Sequence, residues 1–105
     1  MAERDYQAGL VKRIKKRFPG CVLLKNDSSY IQGIPDWTLF FGPCWATLEV
    51  KDHANAAERP NQAYYVEMLN DMSFSAFIFP ENEEEVLTAL EEAFASRGAA
   101  CVPQS

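Results

Sequence analysis

The sequence predicts one α/β domain in which helices flank a small mixed β-sheet. Two observations support this fold class. The chain has 105 residues, which is enough for one hydrophobic core, and its 48% hydrophobic and 24% charged residues are ordinary for a globular protein. Apolar positions recur at helical spacing in some segments and in short runs in others, in the order α-β-β-β-α-β-α. The prediction is a single domain over residues 1–105.

The N-terminal half contains one predicted helix and three predicted strands. The helix covers residues 3–17, because its apolar positions recur at helical spacing and a Pro-Gly pair follows. Residues 21–26 form a short apolar strand, and the turn formers of residues 27–35 indicate a loop. Residues 36–41 and 44–51 are two strands joined by a Gly-Pro pair, which predicts a hairpin.

The C-terminal half continues with a helix, a strand and a second helix. Residues 52–59 are polar and are expected to be mobile. A helix is predicted from Pro60, which fits a first turn, to about residue 72. Residues 74–79 are a mostly aromatic strand, and residues 82–97 show helical periodicity. Residues 98–105 are expected to be a flexible tail.

Composition excludes several classes of protein. No apolar run approaches the roughly 20 residues that cross a bilayer, and the N-terminus lacks an apolar signal core, so we expect no membrane association and no secretory signal. The three cysteines, Cys21, Cys44 and Cys101, are odd in number and too widely separated for a zinc or disulfide framework. Buried or idle thiols in a reducing cytoplasm are expected.

Charge is distributed unevenly along the chain, whose net charge is −5. Residues 1–60 carry a net charge of +2, whereas residues 61–105 carry −7. Any polyanion should therefore meet the N-terminal half. The acidic run over residues 81–85 is expected to be a solvated helix start.

Basic residues in the N-terminal half are candidates for DNA contacts. Lys12, Lys15 and Lys16 belong to a basic cluster on the first helix, and they are the best candidates for phosphate contacts. A solvated helix face is the commoner meaning of such a cluster. Lys25 and Arg59 lie nearer the carboxylates described next and could clamp a phosphate backbone.

The predicted hairpin brings two carboxylates together. If the Gly-Pro pair forms its tip, Phe41 opposes Cys44 and Asp36 opposes Glu49. Opposed side chains in an antiparallel pair have Cβ atoms roughly 4.5–5.5 Å apart, so the two carboxylates would repel unless a cation or a proton lies between them. Because side chains alternate along a strand, Lys51 shares the face of Glu49. A slip of one residue in register would separate the three groups.

Two carboxylates with a nearby lysine suit metal-assisted hydrolysis of a phosphodiester. Hard oxygen ligands favour Mg²⁺ or Mn²⁺, and a bound cation lowers the pKa of a coordinated water and neutralises charge on the phosphate. Lys51 could orient the attacking water or stabilise the phosphate oxygens. The alternative is structural: Pro-Asp often marks a turn, and Glu-x-Lys often marks a solvated strand edge.

The motifs resemble those of a nuclease family. Pro35-Asp36 and Glu49-Val50-Lys51, twelve residues apart, match the PD-(D/E)xK nuclease signature. The fuller pattern resembles the virus-type replication-repair nuclease (VRR-Nuc) domain over about residues 3–80. It comprises an acidic residue on the first helix, a Gly-x-Pro-Asp strand start, Glu-x-Lys, and a glutamine early in the next helix, which are here Glu3, Gly33-Ile34-Pro35-Asp36, Glu49-Val50-Lys51 and Gln62.

The resemblance implies a restriction-endonuclease-like core and Mg²⁺- or Mn²⁺-dependent DNA cleavage that leaves 5′-phosphate ends. The implied metal ligands are Asp36, Glu49, the Val50 carbonyl and Glu3, and the implied catalytic residues also include Lys51 and Gln62. Stand-alone phage members resemble Holliday-junction resolvases and act as dimers. The resemblance therefore implies a phage-encoded homodimer that acts on branched DNA in the host cytoplasm.

Helical spacing gives a separate reason to consider the two outlying motif residues. Glu3 precedes the apolar stripe of the first helix at spacings of three and four, and Gln62 shares a stripe with Tyr65, Val66 and Leu69, so both should face inward. Polar groups on inward stripes need partners, which a metal-water site supplies. The alternatives are a charge favourable to the helix dipole for Glu3 and a plain first-turn residue for Gln62.

Other residues are less specific. His53 could be a general base, but a loop histidine is the favoured interpretation. Tyr30, Trp37 and Trp45 could stack on bases or pack, and packing is favoured for the two tryptophans. The aromatic strand over residues 74–79 and the last helix are candidate dimer seams, although core packing explains them equally well.

The alternatives to a resolvase-like endonuclease are a generic nicking endonuclease, an exonuclease on DNA or RNA, and a non-catalytic nucleic-acid-binding subunit. The presence of Asp36, Glu49 and Lys51 together favours an enzyme, because a binding module has no need of all three.

Overall fold

The structure, a computed structural model, describes residues 2–101, with side chains described for residues 2–96. It is a small α/β fold with three helices and four strands, which confirms the predicted order of elements. In chain order these are α1 (Glu3–Arg17), β1 (Val22–Lys25), β2 (Trp37–Phe41), β3 (Cys44–Val50), α2 (Gln62–Met72), β4 (Ser75–Ile78) and α3 (Glu83–Cys101). Within the described residues, no helix is both long and apolar enough to cross a membrane.

The four strands form one mixed sheet in the order β1-β2-β3-β4. β1, β2 and β3 are antiparallel neighbours, and β4 runs parallel to β3. Phe41 pairs with Cys44 and Trp37 pairs with Leu48, which is the register predicted from a two-residue hairpin tip. Gly42 in that tip has a φ of 59°, in the left-handed region that glycine adopts without strain.

The sheet has one fully covered face. Leu39, Ala46 and Leu48 alternate onto it and are completely buried in the core beneath α1 and α3. Three rings close the end of this core, since the Phe18 ring lies 5.4 Å from that of Phe41 and 5.8 Å from that of Phe94. Burial of this face is the main source of stability available to so small a chain.

The opposite face is covered by α2 over β3 and β4 only. On β1 and β2 the outward side chains are Val22, Leu24 and Phe40, which are 59%, 52% and 43% exposed. Strand alternation places the three on one face, and Val22 is the direct partner of Phe40. An apolar surface therefore remains uncovered at the β1 edge of the sheet.

The acidic start of α3 is not merely solvated, which corrects the prediction. Arg13 donates to both carboxylate oxygens of Glu83, at 2.6 and 2.8 Å, and the Tyr6 hydroxyl also donates to Glu83 at 2.8 Å. One turn further along, Arg17 pairs with Glu84 and with Glu91. The predicted basic cluster of α1 is thus divided, because its two arginines bind α3 and its lysines stay exposed.

Two predicted helix boundaries are wrong. α2 begins at Gln62 rather than Pro60, because Asn61 has a φ of 69° and this left-handed conformation interrupts a right-handed helix. α3 continues to Cys101, beyond the predicted end at residue 97. The remainder of the predicted flexible tail, residues 102–105, lies outside the described residues.

Candidate active site

Two carboxylates face each other where β2 begins and β3 ends. The backbone N–H of Val50 donates to Asp36 Oδ2 at 2.8 Å, so the main chain of β3 holds the Asp36 side chain in place. Glu49 is only 3% exposed, and the neighbouring Asp36 influences its ionisation. The predicted opposition of the two residues agrees with the observed register, in which Trp37 pairs with Leu48.

The pair is electrostatically unusual. The pKa of Glu49 is raised from 4.5 to about 8, first by burial and next by the neighbouring Asp36. Lys51 acts in the opposite direction, but its Nζ is 3.9 Å from Glu49 Oε2. Lys51 therefore offsets the effect of burial and of Asp36 only in part, and the raised pKa favours the protonated form of Glu49.

Lys51 and Gln62 are joined to Glu49 in one buried network. Lys51 Nζ donates to Gln62 Oε1 at 2.7 Å, and the backbone N–H of Arg59 donates to the same oxygen at 2.8 Å. With its oxygen held by two donors, the Gln62 amide directs its Nε2 to Glu49 Oε2, at 2.9 Å. The predicted inward position of Gln62 is confirmed, since it is 8% exposed.

These groups line a cavity of about 370 Å³. The predicted site residues on its wall are Glu3, Asp36, Glu49, Lys51, Arg59 and Gln62. The segment between β3 and α2 forms another wall, where the Ala57 carbonyl accepts a hydrogen bond from Lys51 Nζ at 3.2 Å. This segment was expected to be a mobile loop, and the structure gives part of it a definite place against the site.

Glu3 reaches the cavity from the start of α1 but is exposed rather than buried, which corrects its predicted inward position. The buried stripe of that helix consists of Tyr6, Leu10 and Ile14. Glu3 is among the charges that raise the pKa of Glu49, although it is the smallest of the named causes. Among the described residues, no group of three His, Cys, Asp or Glu side chains is placed to hold a metal ion. The carboxylates that the fold brings together are Asp36 and Glu49.

Lys25 is held against the site rather than free in solvent. Its Nζ lies 3.4 Å from Asp36 Oδ1 and donates to Gln7 Oε1 at 3.1 Å. The same ammonium lies 5.1 Å from the centre of the Trp37 ring, while Trp37 Nε1 donates to Gln7 Oε1 at 3.0 Å. Lys25 is therefore a counter-ion of Asp36 in this structure.

Gln7 also belongs to the site, although the sequence patterns did not identify it as a site residue. Besides accepting from Lys25 and Trp37, it lies 3.4 Å from Glu3 and donates to it, so it links α1 to the Asp36 side of the cavity. Its helical spacing placed it on the apolar stripe of the first helix. A polar residue at such a position needs a hydrogen-bond partner, and this was the feature of the sequence that could have identified it.

Gly33 has a structural reason to be glycine. Its φ is 91°, and a Cβ built there would lie 2.6 Å from Asn61 Cβ and 2.9 Å from the Pro60 carbonyl oxygen. The loop before β2 therefore lies directly against the backbone that precedes α2, and a side chain at position 33 would prevent this close approach.

Several predicted residues lie away from the cavity. Lys12, Lys15 and Lys16 are exposed on α1 and do not line it. His53 is exposed and lies 3.5 Å from Asp52, so the structure agrees with a loop histidine. The two tryptophans are half-buried, as packing residues would be.

Comparison with family models, with curated proteins and with solved structures finds no match. The functional interpretation therefore depends on the geometry of the cavity and on the sequence motifs that converge there.

Proposed function

We propose that this chain is a metal-dependent, structure-selective DNA endonuclease that hydrolyses phosphodiester bonds and resembles Holliday-junction resolvases. The observation that supports the proposal is the convergence of Asp36, Glu49, Lys51 and Gln62 on one cavity. The four come from three separate parts of the chain. Their order and spacing are those of the nuclease motifs that the sequence resembles.

The donor set fits a hard divalent cation. Asp36 and Glu49 supply carboxylate oxygens, which Mg²⁺ and Mn²⁺ prefer, and the resemblance adds the Val50 carbonyl. A cation in place of the proton at Glu49 would relieve the repulsion between the two carboxylates. When bound, the metal would supply an activated water and neutralise charge on the phosphate.

The chain's own residues have separate roles in the proposal. Lys51 provides a buried positive charge at the cavity wall, where it would orient the attacking water or stabilise a phosphate oxygen. Gln62 keeps Glu49 and Lys51 in fixed relative positions through one amide. Because both are hydrogen-bonded before any substrate arrives, little reorganisation is needed at the moment of reaction.

DNA would approach across the exposed basic side chains. Arg59 lies at the cavity itself, and Lys12, Lys15 and Lys16 form a separate exposed basic group on α1. Lys25 was predicted to contact the phosphate backbone of DNA. In the metal-free chain it instead pairs with Asp36. A divalent cation at Asp36 would repel it and release it towards a phosphate.

The decisive experiment combines metal binding with cleavage. The purified chain should cut DNA with Mg²⁺ or Mn²⁺, stop in excess chelator, and bind but scarcely cut with Ca²⁺. Independently of activity, Mn²⁺ should raise the melting temperature of the wild-type chain but not that of Glu49→Gln.

The matched control is Glu58→Gln, which removes a carboxylate from an exposed loop position. It should keep both cleavage and the thermal shift caused by Mn²⁺. Robust cleavage in excess chelator, or an unchanged thermal shift in Glu49→Gln, would reject the metal site.

A further inference from the structure

A second cleft adjoins the proposed active cavity. It has a volume of about 270 Å³ and is lined by Asn26, Asp27, Tyr30, Ile31 and Ile34. Ile34 lines both spaces, so the cleft and the catalytic cavity are neighbours on either side of this residue. A strand bound in the cavity would therefore pass close to the cleft.

The two spaces differ in chemistry. The catalytic cavity is lined by two cations, Lys51 and Arg59, as well as by the carboxylates of the proposed metal site, and the cations suit phosphate. Among the described residues that line the second cleft there is no cation, and the wall is made by two isoleucines and an aromatic ring beside one carboxylate and one amide. A phosphate would be repelled there, whereas a flat uncharged ring with polar edges fits.

Tyr30 lies on an ordered turn with its side chain exposed. It is 86% exposed, and its backbone N–H donates to the Asp27 carbonyl at 3.1 Å. The Asp27 side chain accepts from the backbone N–H and from the hydroxyl of Ser29, at 2.9 and 2.6 Å. Asn26 anchors the base of the loop by donating through Nδ2 to the Pro35 carbonyl at 3.0 Å. These bonds fix the backbone that carries the ring, so binding would have to order only the Tyr30 side chain.

We propose that this cleft binds one unpaired nucleobase of the DNA strand, stacked on the Tyr30 ring. The inference rests on the proposed function, because the neighbouring phosphodiester would lie in the catalytic cavity. A base inside a duplex is stacked on its neighbours, whereas an unpaired base at a junction, flap or gap can enter the cleft without that cost. The cleft thus gives a physical basis for a preference for branched over linear DNA.

The test is a binding cycle in which no cleavage can occur. Fluorescence anisotropy in excess chelator would measure affinity for a short duplex with a single-stranded overhang, and for the same DNA with abasic overhang positions. Tyr30→Ala should weaken binding of the intact overhang by about 5- to 150-fold, the range expected for loss of one base–aromatic stack. Removing the bases should weaken wild-type binding similarly and abolish the difference between the two proteins.

Tyr64→Ala is the matched control, since Tyr64 is also exposed, at 62%, but lines neither space. It should bind as the wild type does, and Tyr30→Trp should retain the preference for intact bases. Equal affinity of the wild type and Tyr30→Ala, an equal loss in Tyr64→Ala, or no measurable binding of the overhang would overturn the inference. The two proposals can fail separately, because the binding assay contains no metal. If the chain binds the overhang in a base-dependent way but does not cut DNA with Mg²⁺ or Mn²⁺, the proposed nuclease activity is rejected and the proposed base-binding cleft is retained.

Discussion

Glu49 is the residue of the site whose charged form is least favoured. It is buried, lies beside a second carboxylate, and has the Lys51 ammonium nearby. A glutamine would fill the same space without a charge. A carboxylate at this position therefore lowers the stability of the fold unless it binds a cation. This single position links the stability of the fold to the proposed cation.

The metal-free chain should lose stability as pH rises. The pKa of Glu49 is raised from 4.5 to about 8 in the folded state, so its stabilising contribution is complete below pH 4.5 and declines as pH approaches and passes about 8. Urea unfolding in chelator between pH 5 and 9 would measure this. The difference between the wild type and Glu49→Gln isolates the group, and a difference that does not change with pH would contradict the assignment.

Lys51 should affect turnover much more than DNA binding. Lys51→Met keeps much of the buried aliphatic part of the side chain. It removes the ammonium group that lies near Glu49 and donates a hydrogen bond to Gln62. We expect kcat to fall by at least about 100-fold, the loss typical of removing one group that stabilises developing charge. DNA affinity, measured by anisotropy with Ca²⁺, should change little. A variant with near-normal kcat would show that Lys51 is structural only.

At the scale of elements, α1 serves two purposes on different faces. Arg13 and Arg17 bind the acidic start of α3, and Tyr6 supports the same contact from the buried stripe. Lys12, Lys15 and Lys16 remain exposed for a partner. Positions three and four apart on a helix share a face, so one basic run can supply both a structural contact and a binding surface.

The exposed lysines of α1 should control the salt dependence of DNA binding. Replacing Lys12, Lys15 and Lys16 with alanine should weaken affinity and reduce the slope of log K against log salt by up to about 2.7, since each phosphate contact contributes about 0.9. The melting temperature should be nearly unchanged, because these side chains are exposed. Arg13→Ala is the contrasting variant and should lower stability through loss of the Glu83 pair. An unaltered salt slope in the triple variant would place the DNA elsewhere.

At the scale of the whole molecule, the uncovered sheet face is a candidate seam between two copies. The strand over residues 74–79 and the last helix were the expected seams, but β4 and α3 pack against each other and β3. The exposed apolar side chains lie instead on β1 and β2, and β1 is an edge strand with pairing groups free along one side. Two sites related by two-fold symmetry would suit the two nicks that resolve a four-way junction.

We predict a homodimer that prefers a four-way junction to linear duplex. Light scattering after gel filtration should give twice the 11.9 kDa mass of the chain. Leu24→Asp changes an exposed position on the candidate seam, and it should produce a folded monomer that loses junction preference. Met72→Asp, at another exposed apolar position on α2, is the control and should remain dimeric. A monomeric wild type that nicks linear duplex as readily as the junction would leave a generic nicking endonuclease.

The sequence by itself determined the order of elements and the pairing of Asp36 with Glu49. Both follow from local rules: hydrophobic period identifies each element, and a two-residue hairpin tip sets the register of every pair behind it. The inward position of Gln62 also followed from its helical spacing, whereas the same argument for Glu3 was wrong, since that side chain is exposed.

The partners of these polar groups could be read only from the folded chain. Gln62 meets Lys51 and Glu49 across 11 and 13 residues of chain, and Glu83 meets Arg13 across 70 residues. The hydrophobic pattern of the sequence does not indicate the left-handed conformation of Asn61, after which α2 begins. These contacts depend on how distant elements dock, and docking is set by the shape of the shared core rather than by the spacing of residues within any one element.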